Sequence, residues 1–306
     1  MHTDFDLVAA DLAFPEGPIV MPDGSIIVVE IGAGRVTRIA EDGRRTTIAT
    51  PGGGPNGAAL GPDGHLYVCN SGGFHWETKN GGVFPTRQAD DYSGGRIERI
   101  DIDTGKVEVL YDSCDGVPLK GPNDLVFDAQ GGFYFTEHGK RRKRDMDIGS
   151  IFYAHADGSR ITEVVFPSEM PNGIGLAPDE KTLYVAETNT GNLWAYEIAE
   201  PGVIRPSAPH FGRYMKGPHD YTSYDSLAVE ACGNICVTNL IRSGIEVIAP
   251  DGGHVAFVPL PDPLPTNICF GGKDLKTAYI TLSTTGRLIK MRWPREGLRL
   301  NFNQYP

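Results

Sequence analysis

Two stretches of this chain decide its fold when they are read together: EGPIVMPDGSIIVVE, from Glu16 to Glu30, and NGAALGPDGHLYVCN, from Asn56 to Asn70. Each opens on a polar residue, runs through a short apolar stretch and turns at Pro22–Asp23–Gly24 or Pro62–Asp63–Gly64. Asp and Gly supply the side-chain hydrogen bond and positive φ that tight turns use. A second run follows, rich in the β-branched and aromatic residues that strands favour. Four more segments align with these: NDLVFDAQGGFYFTE from Asn123, NGIGLAPDEKTLYVAE from Asn172, DSLAVEACGNICVTN from Asp225 and NICFGGKDLKTAYIT from Asn267. The starts at 16, 56, 123, 172, 225 and 267 lie 40, 67, 49, 53 and 42 residues apart.

Further strand-like runs fill each unit, such as Gly34 to Ile39 and Thr46 to Ala49. Four short strands in about 40–50 residues make one blade of a β-propeller. The expectation is an all-β, six-bladed β-propeller with four antiparallel strands per blade, forming a single domain over residues 1–306. The sixth unit has a third strand at Gly286 to Arg292. Its outermost strand comes from Phe5 to Ala10, which closes the ring by pairing the two ends of the chain and covers an exposed edge. Leu298 to Phe302 competes for that place.

Composition agrees. Gly (39) and Pro (23) make up about a fifth of the 306 residues, against roughly an eighth in average usage, which disfavours long helices. A net charge of −11 argues against a nucleic-acid or anionic-membrane binder. No run reaches the roughly 18 apolar residues of a membrane span, and the acidic N-terminus lacks the basic start of a secretory signal. The five cysteines include no Cys-x-x-Cys pair and read as reduced thiols of a cytoplasmic protein.

In a propeller the innermost strands line a central channel. The six openers Glu16, Asn56, Asn123, Asn172, Asp225 and Asn267 are therefore expected at one end of its axis. Capping of strands and turns explains Asn and Asp there but explains Glu16 poorly. Two carboxylates and several amide oxygens on one axis repel unless a cation sits among them. Oxygen donors of this kind suit Ca²⁺, Mg²⁺ or Mn²⁺, and also accept Zn²⁺ or Fe²⁺.

At these residues the chain resembles the gluconolactonase and senescence-marker-protein (regucalcin-like) family of six-bladed propeller hydrolases. The resemblance is carried by Phe14–Pro15–Glu16–Gly17–Pro18, Gly121–Pro122–Asn123–Asp124–Leu125, Pro171–Asn172–Gly173–Ile174, Asp225–Ser226–Leu227–Ala228 and Pro265–Thr266–Asn267 with Phe270–Gly271–Gly272. It implies one divalent cation, Ca²⁺ foremost, held by Glu16, Asn123, Asn172 and Asp225, and it implies lactone hydrolysis or, in a related branch, phosphotriester hydrolysis. Three positions depart from the family pattern. Gly121 stands where regucalcin-type members carry a substrate-touching Arg, Ser226 follows Asp225 in place of Gly, and Glu137–His138–Gly139 replaces Asp-Pro-Gly.

Two long loops are expected to overhang the channel mouth. One runs from Asn70 to Gly95 with His75, Trp76, Phe84 and Arg87; the other runs from Glu137 to Gly149 with His138 and the basic run Lys140 to Arg144. That run reads either as a solvated loop balanced by Asp145 and Asp147 or as a funnel for an anionic substrate. Of His75, His138 and His219, His138 is best placed for acid–base work. The absence of Gly-x-Ser-x-Gly disfavours a serine nucleophile.

The expected protein is thus a metal-dependent hydrolase that opens a sugar-acid or other polar or anionic lactone. Asp225 is the first candidate for the base, with water activation by the cation itself as the alternative. Asn56, Asn123, Asn267, His75 and Arg141 are the substrate-facing candidates. A phosphotriesterase on the same site and a catalytically silent binding propeller are the competing readings.

Overall fold

The computed structural model describes residues 4–205, 212–216 and 221–303; His219 lies outside them. Six antiparallel sheets follow one another around a ring, and each runs from an inner strand to an outer one. The inner strands are Pro15–Val20, Pro55–Leu60, Pro122–Phe127, Pro171–Leu176, Tyr224–Val229 and Pro265–Gly271. Each packs beside the next, and the last returns to the first. In blade four two short strands, Val203–Ile204 and Arg213–Lys216, share the outer place.

The ring closes as the sequence predicts. Asp6–Ala9 pairs antiparallel with Arg287–Arg292, with Asp6 opposite Lys290 and Leu7 opposite Ile289, and is the outermost strand of blade six. The competing C-terminal segment does something else. Leu298 N donates to Val229 O, Asn301 Nδ2 donates to Phe127 O, and the Phe302 ring stacks edge-on against Phe127. It therefore crosses from blade five to blade three at the far end of the channel, where Leu298, Leu300, Asn301 and Asn303 help close the cavity inside the ring.

One local feature repeats. The first residue of each inner strand pairs with the end of the second strand, as in Pro15 with Glu30, Pro122 with Glu137 and Tyr224 with Asn239. The register then slips within the next three residues in all six blades. An extra residue at a bulge leaves the ladder and bends the strand, which re-aims its side chain. The openers sit at these slips. The repeat places them ahead of the inner strands, whereas the structure places them inside the strands, because pairing already begins at a residue one or two positions earlier.

The core lies between blades. Tyr67 packs edge-on against Phe127, with ring centroids 5.0 Å apart, and Phe127 meets Phe133 at 5.1 Å. Cys69, Cys114 and Cys236 are buried free thiols. No helix of the described residues is long and apolar enough to cross a membrane.

The chain after blade six is anchored by Glu230. Its fully buried carboxylate accepts from Trp293 Nε1 (2.7 Å), Asn234 Nδ2 (2.8 Å) and Arg295 Nε (2.5 Å). Burial alone would raise its pKa, but Arg295, Trp293 and Asn234 hold it below the ordinary carboxylate value. A depressed folded pKa contributes stability above the unfolded value, and that stability is lost as pH falls through the folded value. Glu230→Gln is therefore expected to cost about 2 kcal/mol at pH 7. The gap between variant and wild type should narrow below pH 4.5, the unfolded value. Urea unfolding at both pH values checks this, and a pH-independent gap contradicts it.

Candidate active site

The site begins with how each opener is approached. In blades one to four the polar residue ending the second strand turns back and binds the backbone just before the opener. Glu30 Oε2 accepts from Ala13 N (2.8 Å), Asn70 Oδ1 from Gly54 N (2.9 Å), and Glu187 Oε1 from Glu169 N (2.8 Å). Glu137 takes Lys120 N, Gly121 N and Gly139 N together. These braces satisfy buried backbone donors that strand pairing leaves over, and they fix the entry angle of the strand that carries the opener. The sequence carries this signal, since every aligned segment ends on a polar residue.

The openers are brought together by close approach of neighbouring inner strands. A side chain at Gly57 would meet the Asp124 backbone and Oδ1 at 2.5 Å, and one at Gly173 would meet Asp225 O and Ser226 Cα at 2.7 Å. Only glycine fits where one inner strand lies this near the next.

Five of the six openers are buried, and Asp225 is half-buried. Glu16 Oε2 accepts from Asn267 Nδ2 (2.7 Å) and from Gly17 N (2.8 Å). Asn267, a substrate-facing candidate, thus also orients Glu16 through its Nδ2. Asn172 Nδ2 donates to Thr188 Oγ1 (2.9 Å), and Asn123 Nδ2 lies 3.4 Å from His138 Nδ1. With their N–H groups engaged, both amides keep an oxygen to offer. Asn123 Oδ1 and Asn172 Oδ1 are buried without a hydrogen-bond partner. Buried orphan acceptors are rare and call for an explanation.

The carboxylates tell the same story. Burial, opposed by Thr266, Asn267 and Gly17, raises the pKa of Glu16. Burial and then the Glu16 charge push Asp225 well above the usual carboxylate range, with Asp124 adding to the effect. Asp124, which sequence reasoning did not single out, is pushed up to about 7 by burial and then by Glu16. Ser226 gives Asp124 a side-chain hydrogen bond, so the departure from Gly after Asp225 supports a third acid in the channel.

Two carboxylates that resist ionisation and two unpartnered amide oxygens are a donor set that fits one hard divalent cation. Among the described residues no three His, Cys, Asp or Glu side chains gather as a metal set; half of the candidate set is amide. Asn56 holds the matching position in blade two.

His138 is neutral at neutral pH, because burial and then Lys140 and Arg141 lower its pKa to about 3. With Asn123 Nδ2 as hydrogen-bond donor, the tautomer that fits places the His138 ring hydrogen on Nε2, which is buried without a partner. Gly121 has no room for the family's Arg: a side chain there would meet Gly139 O at 2.6 Å.

The long loop after Asn70 forms a hairpin, Phe74–Lys79 with Gly82–Gln88. It leans over blades one and six, with Trp76 5.1 Å from the Phe14 ring and Trp76, Gly81 and Val83 facing Ser283–Gly286. His75 belongs to this flap, its Nδ1 3.2 Å from Thr86 Oγ1, and no hydrogen bond joins it to an opener among the described residues. Of the two readings of the basic run, the balance by Asp145 and Asp147 is present at Arg142, and a uniform funnel is not. Arg142 pairs with Asp145 and Asp147, and Lys140 is buried at 2% exposure. Arg141 is exposed on the rim, with Nη2 on Asn189 Oδ1 (3.2 Å).

With this geometry in place, comparison with known proteins assigns the family. Residues 14–284 match the SMP-30/Gluconolactonase/LRE-like region. The chain belongs to that family. It is 31% identical over 270 residues to the lactonase drp35 of Staphylococcus saprophyticus, covering 81% of this chain and 76% of the relative. It is 26% identical to a gluconolactonase of Zymomonas mobilis (92% and 80% covered) and 27% identical to the diisopropyl-fluorophosphatase of Loligo vulgaris (96% and 93%). The solved structure of a calcium-binding regucalcin from Agrobacterium tumefaciens shares the fold at a TM-score of 0.77 and 18% identity, covering 99% of this chain and 98% of its own.

The braces are testable apart from any chemistry. Glu137→Ala strands three backbone donors and is expected to destabilise the fold by about 2–4 kcal/mol. The same change at exposed Glu197 on blade four should fall within about 0.5 kcal/mol. Urea unfolding of both variants decides it; equal effects contradict the bracing role.

Proposed function

We propose that this chain is a divalent-metal-dependent lactonase whose substrate is a polar or anionic lactone. The observation that carries the proposal is the pair of buried, unpartnered oxygens on Asn123 and Asn172 beside the carboxylates of Glu16 and Asp225. These four residues would hold the cation, Ca²⁺ first. Such a cation supplies a Lewis acid that polarises an ester carbonyl and offsets the charge that develops on its oxygen.

The chain's own residues do the rest. Asn267 and Gly17 fix the Glu16 carboxylate, and Thr188 fixes the Asn172 amide, so the donor atoms are set before substrate arrives. Asp225 is the carboxylate assigned to take a proton from the attacking water. The water oxygen bonds to the carbonyl carbon, the ring C–O bond breaks, and the ring oxygen takes the proton back from Asp225 to leave as a hydroxyl, giving a hydroxy acid. His138 offers Nε2–H as a hydrogen-bond donor to a substrate oxygen. Arg141 stands on the rim where a substrate carboxylate enters, and Asn56 completes the channel wall.

Similarity to lactonases favours this reading, and similarity to a diisopropyl-fluorophosphatase keeps phosphotriester hydrolysis as the second. A panel of aldonolactones and organophosphates, followed with a pH indicator in several metals, separates the two.

Asp225→Ala and Glu16→Ala are expected to lower kcat/KM by at least about 10³-fold while the circular dichroism of the β fold is retained. Near-wild-type turnover in both sinks the mechanism. Chelation should lower the thermal midpoint by several degrees, because a ligand bound to the folded state stabilises it. An unchanged midpoint, with no metal by elemental analysis, favours a silent binding propeller.

A further inference from the structure

The flap and the basic loop of blade three are joined at two points, and a buried lysine makes the first. Lys140 Nζ donates to Gly73 O (2.9 Å) and lies 3.9 Å from the centre of the Phe74 ring and 5.6 Å from that of Tyr92. An ammonium taken out of water is costly unless other groups replace the lost hydration. Here a carbonyl and two ring faces replace part of it; burial still lowers the Lys140 pKa to about 7, against the nearby carboxylates of Glu137 and Asp147, which favour the charge.

Every group that the ammonium touches belongs to the stem of the flap. Gly73 precedes and Phe74 opens its first strand, and Tyr92 follows its second. The next residue makes the other join: Arg141 O accepts from Gln88 N (2.8 Å), the last residue of the flap. The loop itself is stitched shut, with Lys140 N on Asp147 Oδ2 (3.0 Å) and Asp147 N on Lys140 O (3.0 Å). Its first residue is His138, which meets Asn123 in the channel. Within four consecutive residues the chain touches the candidate site and holds both legs of the flap.

We propose that Lys140 is a positioning residue that pins the flap to the loop carrying His138 and thereby sets the room available to the substrate beneath the flap. The substrate part of this rests on the lactonase reading above; the pinning does not. An unsubstituted ring needs little of that room, whereas a lactone bearing exocyclic hydroxyls or a carboxylate must fit between flap and openers. Lys140 therefore governs KM for substituted lactones more than it governs kcat.

The test uses the full chain and the variants Lys140→Met, which keeps the stem and removes the charge, and Lys140→Arg, which restores a cation. Hydrogen exchange is followed by mass spectrometry without substrate. In Lys140→Met the amides of Phe74–Gln88 should exchange at least about tenfold faster, with Phe133–Phe135 of blade three unchanged. KM for a substituted aldonolactone should rise about tenfold with kcat within about twofold, KM for an unsubstituted lactone should barely move, and Lys140→Arg should recover most of both effects. Wild-type flap exchange in Lys140→Met overturns the proposal, as does a loss confined to kcat. If Lys140→Met fails to fold, Phe74→Leu, which leaves the ammonium on Gly73 O, should show the same flap-confined acceleration; its absence overturns the proposal. If wild type opens no lactone, the lactonase reading fails and the exchange result still decides the pinning.

Discussion

Glu16, Asp124 and Asp225 share one channel in which burial makes all three harder to ionise, and the Glu16 charge adds to the effect on Asp124 and Asp225. Like charges in a poorly solvated space are tolerated only when something offsets them. Hydrogen bonds do part of this, from Asn267, Gly17, Thr266, Ser226 and Asn172. They do not reach the two amide oxygens left open on Asn123 and Asn172. Such a gathering of oxygen acceptors fits a hard cation, and the remaining architecture holds those acceptors still.

That holding is done mostly by backbone. The register slips near the start of each inner strand fall at or beside the openers, and the second-strand termini Glu30, Asn70, Glu137 and Glu187 bind the chain just upstream. A ring suits this arrangement, since each inner strand is buried between two neighbours and is restrained along its whole length. The mouth is different. It is made of the two longest second-to-third strand connections, which pack on each other through Lys140, Phe74 and Gln88 rather than on the ring alone. Function there depends on contacts between loops, which a rigid scaffold positions without prescribing.

Legibility in the sequence follows that division. The blades, the closing strand from the N-terminus and the six convergent openers were all visible, because each repeats a short local pattern of turn and strand that neighbouring residues enforce. Asp124 was passed over because a second acid after an opener has no counterpart in the other repeats. The basic run at Lys140–Arg144 was read as one unit because adjacent charges look alike in sequence. Folding separates them into a buried ammonium, an exposed Arg141 and an Arg142 neutralised by two aspartates. Asn267 also partners Glu16, a pairing across 251 positions of chain that no local pattern announces.

The sequence by itself determined a closed ring of short strands with a polar residue opening each inner one, since turn chemistry, β propensity and period act over a few residues. Tertiary structure alone decided which amide oxygens stay open, which acids face one another and how the flap is held. Those outcomes depend on distances between strands of different blades, and such distances exist only once the ring has closed.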